Sequence, residues 1–265
     1  MVLGMNLRTV PAALAVAVLA LSVSACAKDK DTTTTESGVK VVEKGTLTIC
    51  THLPYEPFEF TEKGEVVGFD IDVLKLVAQN EDLKTKVIDT PWETIVSGNA
   101  LDNGDCDVAT GAMTIKPERV KVMDFSNPYF EATQAMLVKK GSGYSDLSDL
   151  AGKRIAVQEG TTGETYVEEN LPKGAEKVSY EDSVLMMEAV NSGDADAGVN
   201  DNGLVNYYVA QNDGVEVSKE FATGEKYGFS VAKDDNPELL KAINEAIADK
   251  AEMDKLKEKW FGTAG

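Results

Sequence analysis

The chain has 265 residues, 43% hydrophobic and 27% charged, with 8 prolines. At about 150 residues per domain this predicts two domains with ample core, and it excludes a disordered, collagen-like or multispan membrane chain. Lys and Arg number 26 against 45 Asp and Glu, a net charge of −19, and so acidic a surface repels phosphate backbones, which excludes nucleic acid as a partner. One histidine and three cysteines are too few for a His-rich or Cys-rich zinc or copper site. No metal or other cofactor is expected, and Ser-His-Asp or Cys-His catalysis would have to use His52.

Arg8 precedes a run over residues 10–23 that is apolar apart from Pro11 and Ser22, the pattern of a signal peptide. The alternative is a membrane anchor, because residues 9–27 carry no charge and approach the lower limit for spanning a bilayer; Pro11 and the small residues weaken it. Val23-Ser24-Ala25-Cys26 resembles the lipobox of bacterial lipoproteins, in which small residues admit the signal peptidase and the cysteine thiol takes the lipid. Residues 1–25 are therefore expected to be removed and Cys26 lipidated, with residues 26–43 a flexible tether of polar composition. Acylation of Cys26 leaves Cys50 and Cys106 as an even pair in an oxidising compartment. If both lie on parallel strands ending at a common site, Cys106 falls about four residues below Cys50, or roughly 13 Å, beyond the ~7 Å Cα reach of a disulfide. The bridge is left open.

Leu47-Thr48-Ile49 reads as a strand, and Gly68-Phe69-Asp70 precedes a helix with Val73, Leu74 and Val77 on one face. Asp70 is placed as the N-cap, ahead of any catalytic pairing with Asp72. Val87-Ile88 is a strand, a helix follows from Trp92, Asp107-Val108-Ala109-Thr110 is a strand, and a helix opens near Pro117, where the missing N–H costs nothing. This alternation predicts a parallel sheet. A second run repeats it. Residues 154–157 form a strand, Thr161 to Glu164 have capping-box spacing, 177–180 form a strand, 183–192 a helix and 195–199 a strand ending at Asn200-Asp201.

Residues 134–138 and 227–232 are strand-like and lie at the borders of the second run, and Asn236-Pro237-Glu238 opens a closing helix. If the second lobe is an insertion, the chain crosses between lobes twice and these strands form the hinge; otherwise they are edge strands of one large sheet. The predicted division is 44–134 plus 230–265 for lobe 1 and 135–229 for lobe 2. Each lobe is expected to be α/β, a mostly parallel sheet flanked by helices.

Such sheets bind ligands outside the carboxyl ends of their strands. Those positions hold His52 and Tyr55, residues 112–119, residues 158–162 and Asp201. Arg119 at a helix N-terminus opposes the dipole and needs an anion. A free α-carboxylate held bidentately would serve, with Asp201 on the matching α-ammonium; the alternative is a surface pair of Arg119 with Glu118 or Asp124. The glycines of residues 158–163 make no P-loop, since no Lys-Ser/Thr follows, and Met186-Met187 is core rather than a metal site.

His52-Leu53-Pro54-Tyr55-Glu56-Pro57-Phe58-Glu59-Phe60, Gly68-Phe69-Asp70-Ile71-Asp72, Gly111-Ala112-Met113-Thr114-Ile115-Lys116-Pro117-Glu118-Arg119, Asp124-Phe125-Ser126-Asn127-Pro128-Tyr129-Phe130, Gly160-Thr161-Thr162-Gly163 and Lys259-Trp260-Phe261-Gly262 occur in one order. From about Gly45 to Gly262 the chain resembles the polar-amino-acid family (family 3) of bacterial extracellular solute-binding proteins, in its lipoprotein form. The resemblance implies a two-lobed, type II periplasmic-binding-protein-like fold, monomeric and without catalysis. It implies a lipid-anchored protein on the extracytoplasmic face of the membrane that delivers an amino acid to an ABC permease. By matching motif positions, Arg119 would grip the α-carboxylate with Thr114 and backbone groups at Ala112 and Thr162. Asp201 and the Ala112 carbonyl would hold the α-ammonium, and Tyr55 and Trp92 would sandwich the side chain.

His52 stands where many members carry Asp, so it is either a pH-sensitive donor or a pocket wall; Gln158 and Glu159 line the second lobe's entry. Two rivals remain: a dehydratase of the same fold using a pocket acid such as Glu159 on a cyclic carboxylate, and a sensory module for a membrane receptor. Fold alone does not separate them.

Overall fold

The structure, a computed structural model, describes Met1 and residues 33–262. The expected signal peptide, the lipidated Cys26 and the start of the tether lie outside the described residues.

The expected tether over residues 26–43 extends too far. Thr33–Thr34 pairs antiparallel with Lys40–Val41, and Val39 and Val41 are buried. Asn236 clasps the Lys40 backbone, accepting from its N–H at 3.3 Å and donating to its carbonyl at 2.8 Å. The valines after Gly38 explain the difference, since burying each stabilises the docked segment by about 1.5–3 kcal/mol.

Ten of the strands form two five-stranded sheets, which removes the reading of one large sheet. The first runs Lys84–Asp89, Thr46–Thr51, Val108–Ala109, Ser230–Ala232, Met123–Phe125. The second runs Glu176–Tyr180, Arg154–Gln158, Ala197–Asp201, Phe130–Lys139, Val215–Tyr227. In both, the first three strands are parallel and the fourth is antiparallel to its two neighbours. That fourth strand is, in each case, the one that follows directly on a crossing between lobes. Thr46–Thr51 is buried along its whole length, as a strand with both faces covered must be.

The expected strand at 134–138 is the inner part of Phe130–Lys139. The one expected at 227–232 is divided at Gly228 and Phe229, so that Tyr227 ends a strand of the second sheet and Ser230 begins one of the first. The two crossings are stitched together: Tyr129 N–H donates to the Tyr227 carbonyl at 3.0 Å and Ser126 N–H to the Phe229 carbonyl at 2.9 Å. Their rings stack as well, Tyr129 on Phe229 with centroids 4.3 Å apart and Phe130 on Tyr227 at 5.6 Å, each pair adding about 0.5–1.5 kcal/mol beyond burial.

Gly68, not Asp70, is the N-cap of the helix Phe69–Asn80. The chain passes so close to Phe58 that a Cβ on Gly68 would sit 2.0 Å from the Phe58 carbonyl oxygen, so only glycine fits. Asp70 falls inside the first turn and is fully buried. Elsewhere the cap chemistry matches the spacing: Thr161 Oγ1 accepts from Glu164 N–H at 3.1 Å, although the Glu164 carboxylate accepts from Gly160 N–H rather than closing the box on Thr161.

Cys50 and Cys106 are joined, with Cα atoms 5.7 Å apart. The reach argument placed Cys106 inside a strand. The strand is only Val108–Ala109, and Cys106 belongs to the connection from the short helix Asn99–Asp102, which packs over the sheet face with Cys50, Ile95, Ala100 and Leu101 in one buried cluster.

Candidate functional site

Between the lobes lies a cavity lined from both sides. The first lobe lines it with His52, Tyr55, Trp92, Ala112, Thr114 and Arg119, and the second with Gln158, Thr162 and Asp201. These are all the ligand-binding positions expected from the sequence. The cavity also takes in Glu59, Gly111, Thr161 and Asn200. Glu159, offered as a pocket acid for the dehydratase reading, is exposed and is not among the lining residues: one residue beyond the strand Arg154–Gln158, it turns away from the cleft, whereas buried Gln158 faces it.

Arg119 sits in the short helix Pro117–Val120 with 6% of its surface exposed. Its Nη1 donates to the Thr114 carbonyl and its Nη2 to the Gly160 carbonyl on the opposite lobe, both at 3.1 Å, and its guanidinium carbon lies 5.3 Å from the centre of the Trp92 ring. Among the described residues no carboxylate is within ion-pair distance of Arg119; Glu118 pairs with Lys116 and Asp124 with Lys233, which removes the surface-pair alternative. Burial lowers the guanidinium from its usual value, opposed by the charges of Asp201, Glu118 and Glu225.

Asp201 ends the strand Ala197–Asp201 and begins the helix Asn202–Gln211. Burial, reinforced by the charge of Glu225, pushes its carboxyl up to about 7 against the bonds that hold it. Tyr227 OH donates to one oxygen and Gln134 Nε2 to the other. Nearby, Tyr55 OH crosses the cleft to donate to Asn200 Oδ1 at 3.0 Å, and Asn200 Nδ2 donates to Gln158 Oε1 at 3.3 Å. Trp92 Nε1 donates to the Gly160 carbonyl at 3.2 Å. Gly111 permits that placement, since a Cβ there would lie 2.7 Å from Trp92 Cζ3.

Ala112 has φ +46°, a left-handed conformation that costs an alanine about 1–2 kcal/mol. Asp70 holds it there. Its Oδ2 accepts from Ala112 N–H at 3.0 Å and from Thr110 Oγ1, and Tyr129 OH donates to the carboxylate at 2.7 Å. Burial pushes Asp70 up to about 6 even so. The Ala112 N–H is thus engaged by Asp70. The Thr114 hydroxyl donates to Glu225 Oε2 at 2.7 Å. Thr162 occupies the first turn of the helix Thr162–Glu169, where N–H groups lack intrahelical partners.

His52 Nδ1 donates to the Thr90 carbonyl at 3.2 Å, and its Nε2 is buried without a partner. Glu59 is fully buried, neither carboxyl oxygen has a normal hydrogen-bond partner, and burial together with neighbouring Asp70 pushes it well up. Sequence reasoning missed Glu59, Asn200, Gln134 and Glu225. Glu59 carried a signal, a lone acid between Phe58 and Phe60; Glu225 carried none. Among the described residues no group of His, Cys, Asp and Glu is arranged to hold a metal ion, and no helix is long and apolar enough to cross a membrane.

Residues 47–263 match the bacterial extracellular solute-binding proteins, family 3. The chain belongs to this family. Among family 3 relatives, it is similar to the probable histidine-binding protein of Neisseria gonorrhoeae, at 33% identity over 226 residues covering 82% of this chain and 83% of that protein. It is similar in structure to an ancestral arginine-binding protein solved with arginine and with glutamine, with TM-score 0.76, 39% identity and coverage of 83% of this chain and 99% of that one. A third likeness is to the ancestral amino acid-binding protein AncCDT-1, a precursor of cyclohexadienyl dehydratase, with TM-score 0.73, 38% identity and coverage of 82% and 95%.

Proposed function

We propose that this solute-binding protein captures a polar amino acid as its zwitterion, between closing lobes, and presents it to an ABC permease from a lipid anchor at Cys26. The observation that carries this reading is that Arg119 and Asp201, one cation and one carboxylate from opposite lobes, line the same cavity. The guanidinium is buried without a carboxylate partner, so an incoming α-carboxylate finds a charge already desolvated, each charge-assisted bond contributing about 1.5–3 kcal/mol. The α-ammonium goes to Asp201 and the ligand side chain runs between Tyr55 and Trp92.

A ligand touching both lobes binds the closed form better than the open one and shifts the population toward it. The permease reads the closed shape. Glu159 stands outside the cavity while Glu59 lines it, so dehydratase chemistry is separated from transport by whether the bound ligand is released unchanged. Unpartnered His52 Nε2 is the group that meets the ligand's side chain.

A thermal-shift screen of the twenty amino acids on residues 27–265 tests the reading, since a ligand at 100 times its Kd adds ~2.7 kcal/mol. Arg119→Ala is expected to abolish the shift and His52→Ala to change which amino acid gives it. An undiminished shift in Arg119→Ala would overturn the carboxylate assignment. For the anchor, fatty-acid labelling is expected in the wild type and lost in Cys26→Ala.

A further inference from the structure

A continuous run of hydrogen bonds passes through the hinge and joins Arg119 to Asp201. Arg119 Nη1 donates to the Thr114 carbonyl at 3.1 Å, and Thr114 Oγ1 donates to Glu225 Oε2 at 2.7 Å. Gln134 Nε2 donates to Glu225 Oε1 at 2.8 Å and to Asp201 Oδ1. Thr223 Oγ1 adds a bond to Glu225 Oε1 at 2.9 Å.

Glu225 is buried, with 9% of its surface exposed, two residues before the second crossing. The pairing of Val215–Tyr227 with Phe130–Lys139 shifts register between Phe221 and Glu225; such an irregularity re-aims side chains where a strand bends. On its other side the first lobe's ligand loop is pinned to the same strand, by a bridge between Thr114 and Tyr227 and by Ile115 N–H donating to the Lys226 carbonyl at 2.8 Å.

Donor counting shows what Glu225 controls. Thr114 has one hydroxyl proton, and it goes to Glu225. Gln134 has two amide protons and three acceptors within reach, the carboxylates of Glu225 and Asp201 and, at 3.2 Å, Thr162 Oγ1. We infer that Glu225 is a positioning residue for zwitterion recognition: by accepting from Thr114 of one lobe and Gln134 of the other, it sets the spacing between the guanidinium of Arg119 and the carboxylate of Asp201. This rests on the zwitterion reading of the site, yet Glu225 itself is not among the residues lining the cavity.

The test is calorimetric titration of the full chain with each of the twenty amino acids, on the wild type, Glu225→Gln, Thr114→Val and the double variant, with the ligand-free melting temperature of each. Glu225→Gln places an amide where both partners are donors and is expected to weaken binding at least tenfold. Because Glu225 acts in part through Thr114, the loss in the double variant is expected to fall short of the product of the two single losses, and Thr114→Ser, which keeps the hydroxyl, to bind more tightly than Thr114→Val. Glu225→Asp keeps the charge but withdraws it by one methylene, so it too is expected to weaken binding. It serves alone should Glu225→Gln not fold. Wild-type affinity in Glu225→Gln or Glu225→Asp, or losses that simply multiply in the double variant, would overturn the inference. If the wild type binds none of the twenty, the zwitterion reading falls and this inference with it; if it binds and the variants bind equally, only the role of Glu225 falls.

Discussion

Trp92 of the first lobe donates its indole N–H to the carbonyl of Gly160 in the second, 3.2 Å away. Arg119 donates to the same oxygen at 3.1 Å, so two donors from one side of the cleft converge on one acceptor of the other. These two bonds join the lobes through protein groups alone. Trp92→Phe keeps an aromatic face and removes the donor. At about 0.5–1.5 kcal/mol for one hydrogen bond, the ligand-free open-to-closed ratio is expected to rise roughly 2- to 12-fold. Small-angle scattering of the ligand-free protein checks it: a larger radius of gyration in the variant without ligand, and equal radii in both proteins once saturated. Identical ligand-free profiles would count against the clasp.

Acid acts in opposite directions on binding and on folding. Asp201 sits at about 7 through burial and the charge of Glu225, and an α-ammonium must meet it ionised. Affinity is expected to weaken as the pH falls through 7, approaching tenfold per pH unit below it. Ligand-free stability runs the other way. Asp201, Asp70 and Asp107, the last two pushed up to about 6 chiefly by burial, hold protons more tightly folded than unfolded. Their contribution is complete near pH 4 and is lost as the pH rises through 6 to 7. Between pH 7 and pH 5 the ligand-free melting temperature should therefore rise while the ligand-induced shift shrinks, and Asp201→Asn should flatten the binding profile. A shift that grows on acidification would refute the assignment.

Asp70 secures the left-handed turn at Ala112. An asparagine in its place offers one acceptor oxygen where the carboxylate takes bonds from Ala112, Thr110 and Tyr129. Leaving a buried donor unpaired costs about 1–3 kcal/mol. Asp70→Asn is expected to melt several degrees lower and, because Ala112 lines the cavity, to bind amino acids more weakly. Differential scanning calorimetry and titration on one preparation decide both points; wild-type values for either would remove Asp70 from this role.

The Cys50–Cys106 bridge spans 56 residues of sequence, and closing a loop of that length in the unfolded chain is worth about 4 kcal/mol. Reduction is expected to lower the melting temperature substantially while leaving amino-acid affinity within a few-fold, since neither cysteine lines the cavity. Equal melting of oxidised and reduced protein would show that the bridge contributes nothing.

What could be read without coordinates followed chemistry local in sequence. Strand and helix periods, the Pro117 helix start and the Thr161 cap each depend on neighbours within a turn, and they led to the two α/β lobes. The lining residues were legible because motif order carried them. What escaped depends on contacts between distant segments. Glu225 meets Thr114 across 111 residues and Gln134 across 91, and no local pattern encodes such a meeting. Asp70 was misplaced because an acid near a helix start looks like a cap; close passage of the chain at Gly68 took that position instead. For the cysteines the error was one of path, as a strand shorter than expected lets the preceding connection fold over the sheet.

Threading has a consequence for biosynthesis. In the first sheet Ser230–Ala232 lies between Val108–Ala109 and Met123–Phe125, so those two strands face an empty slot until nearly the entire polypeptide has left the ribosome. The second sheet draws all its strands from one uninterrupted stretch and is complete earlier. A truncation between Tyr227 and Ser230 therefore yields a finished second half attached to a first half with two bare strand edges, a ready template for aggregation. Quality control by proteolysis would recognise such fragments by the half that was begun first.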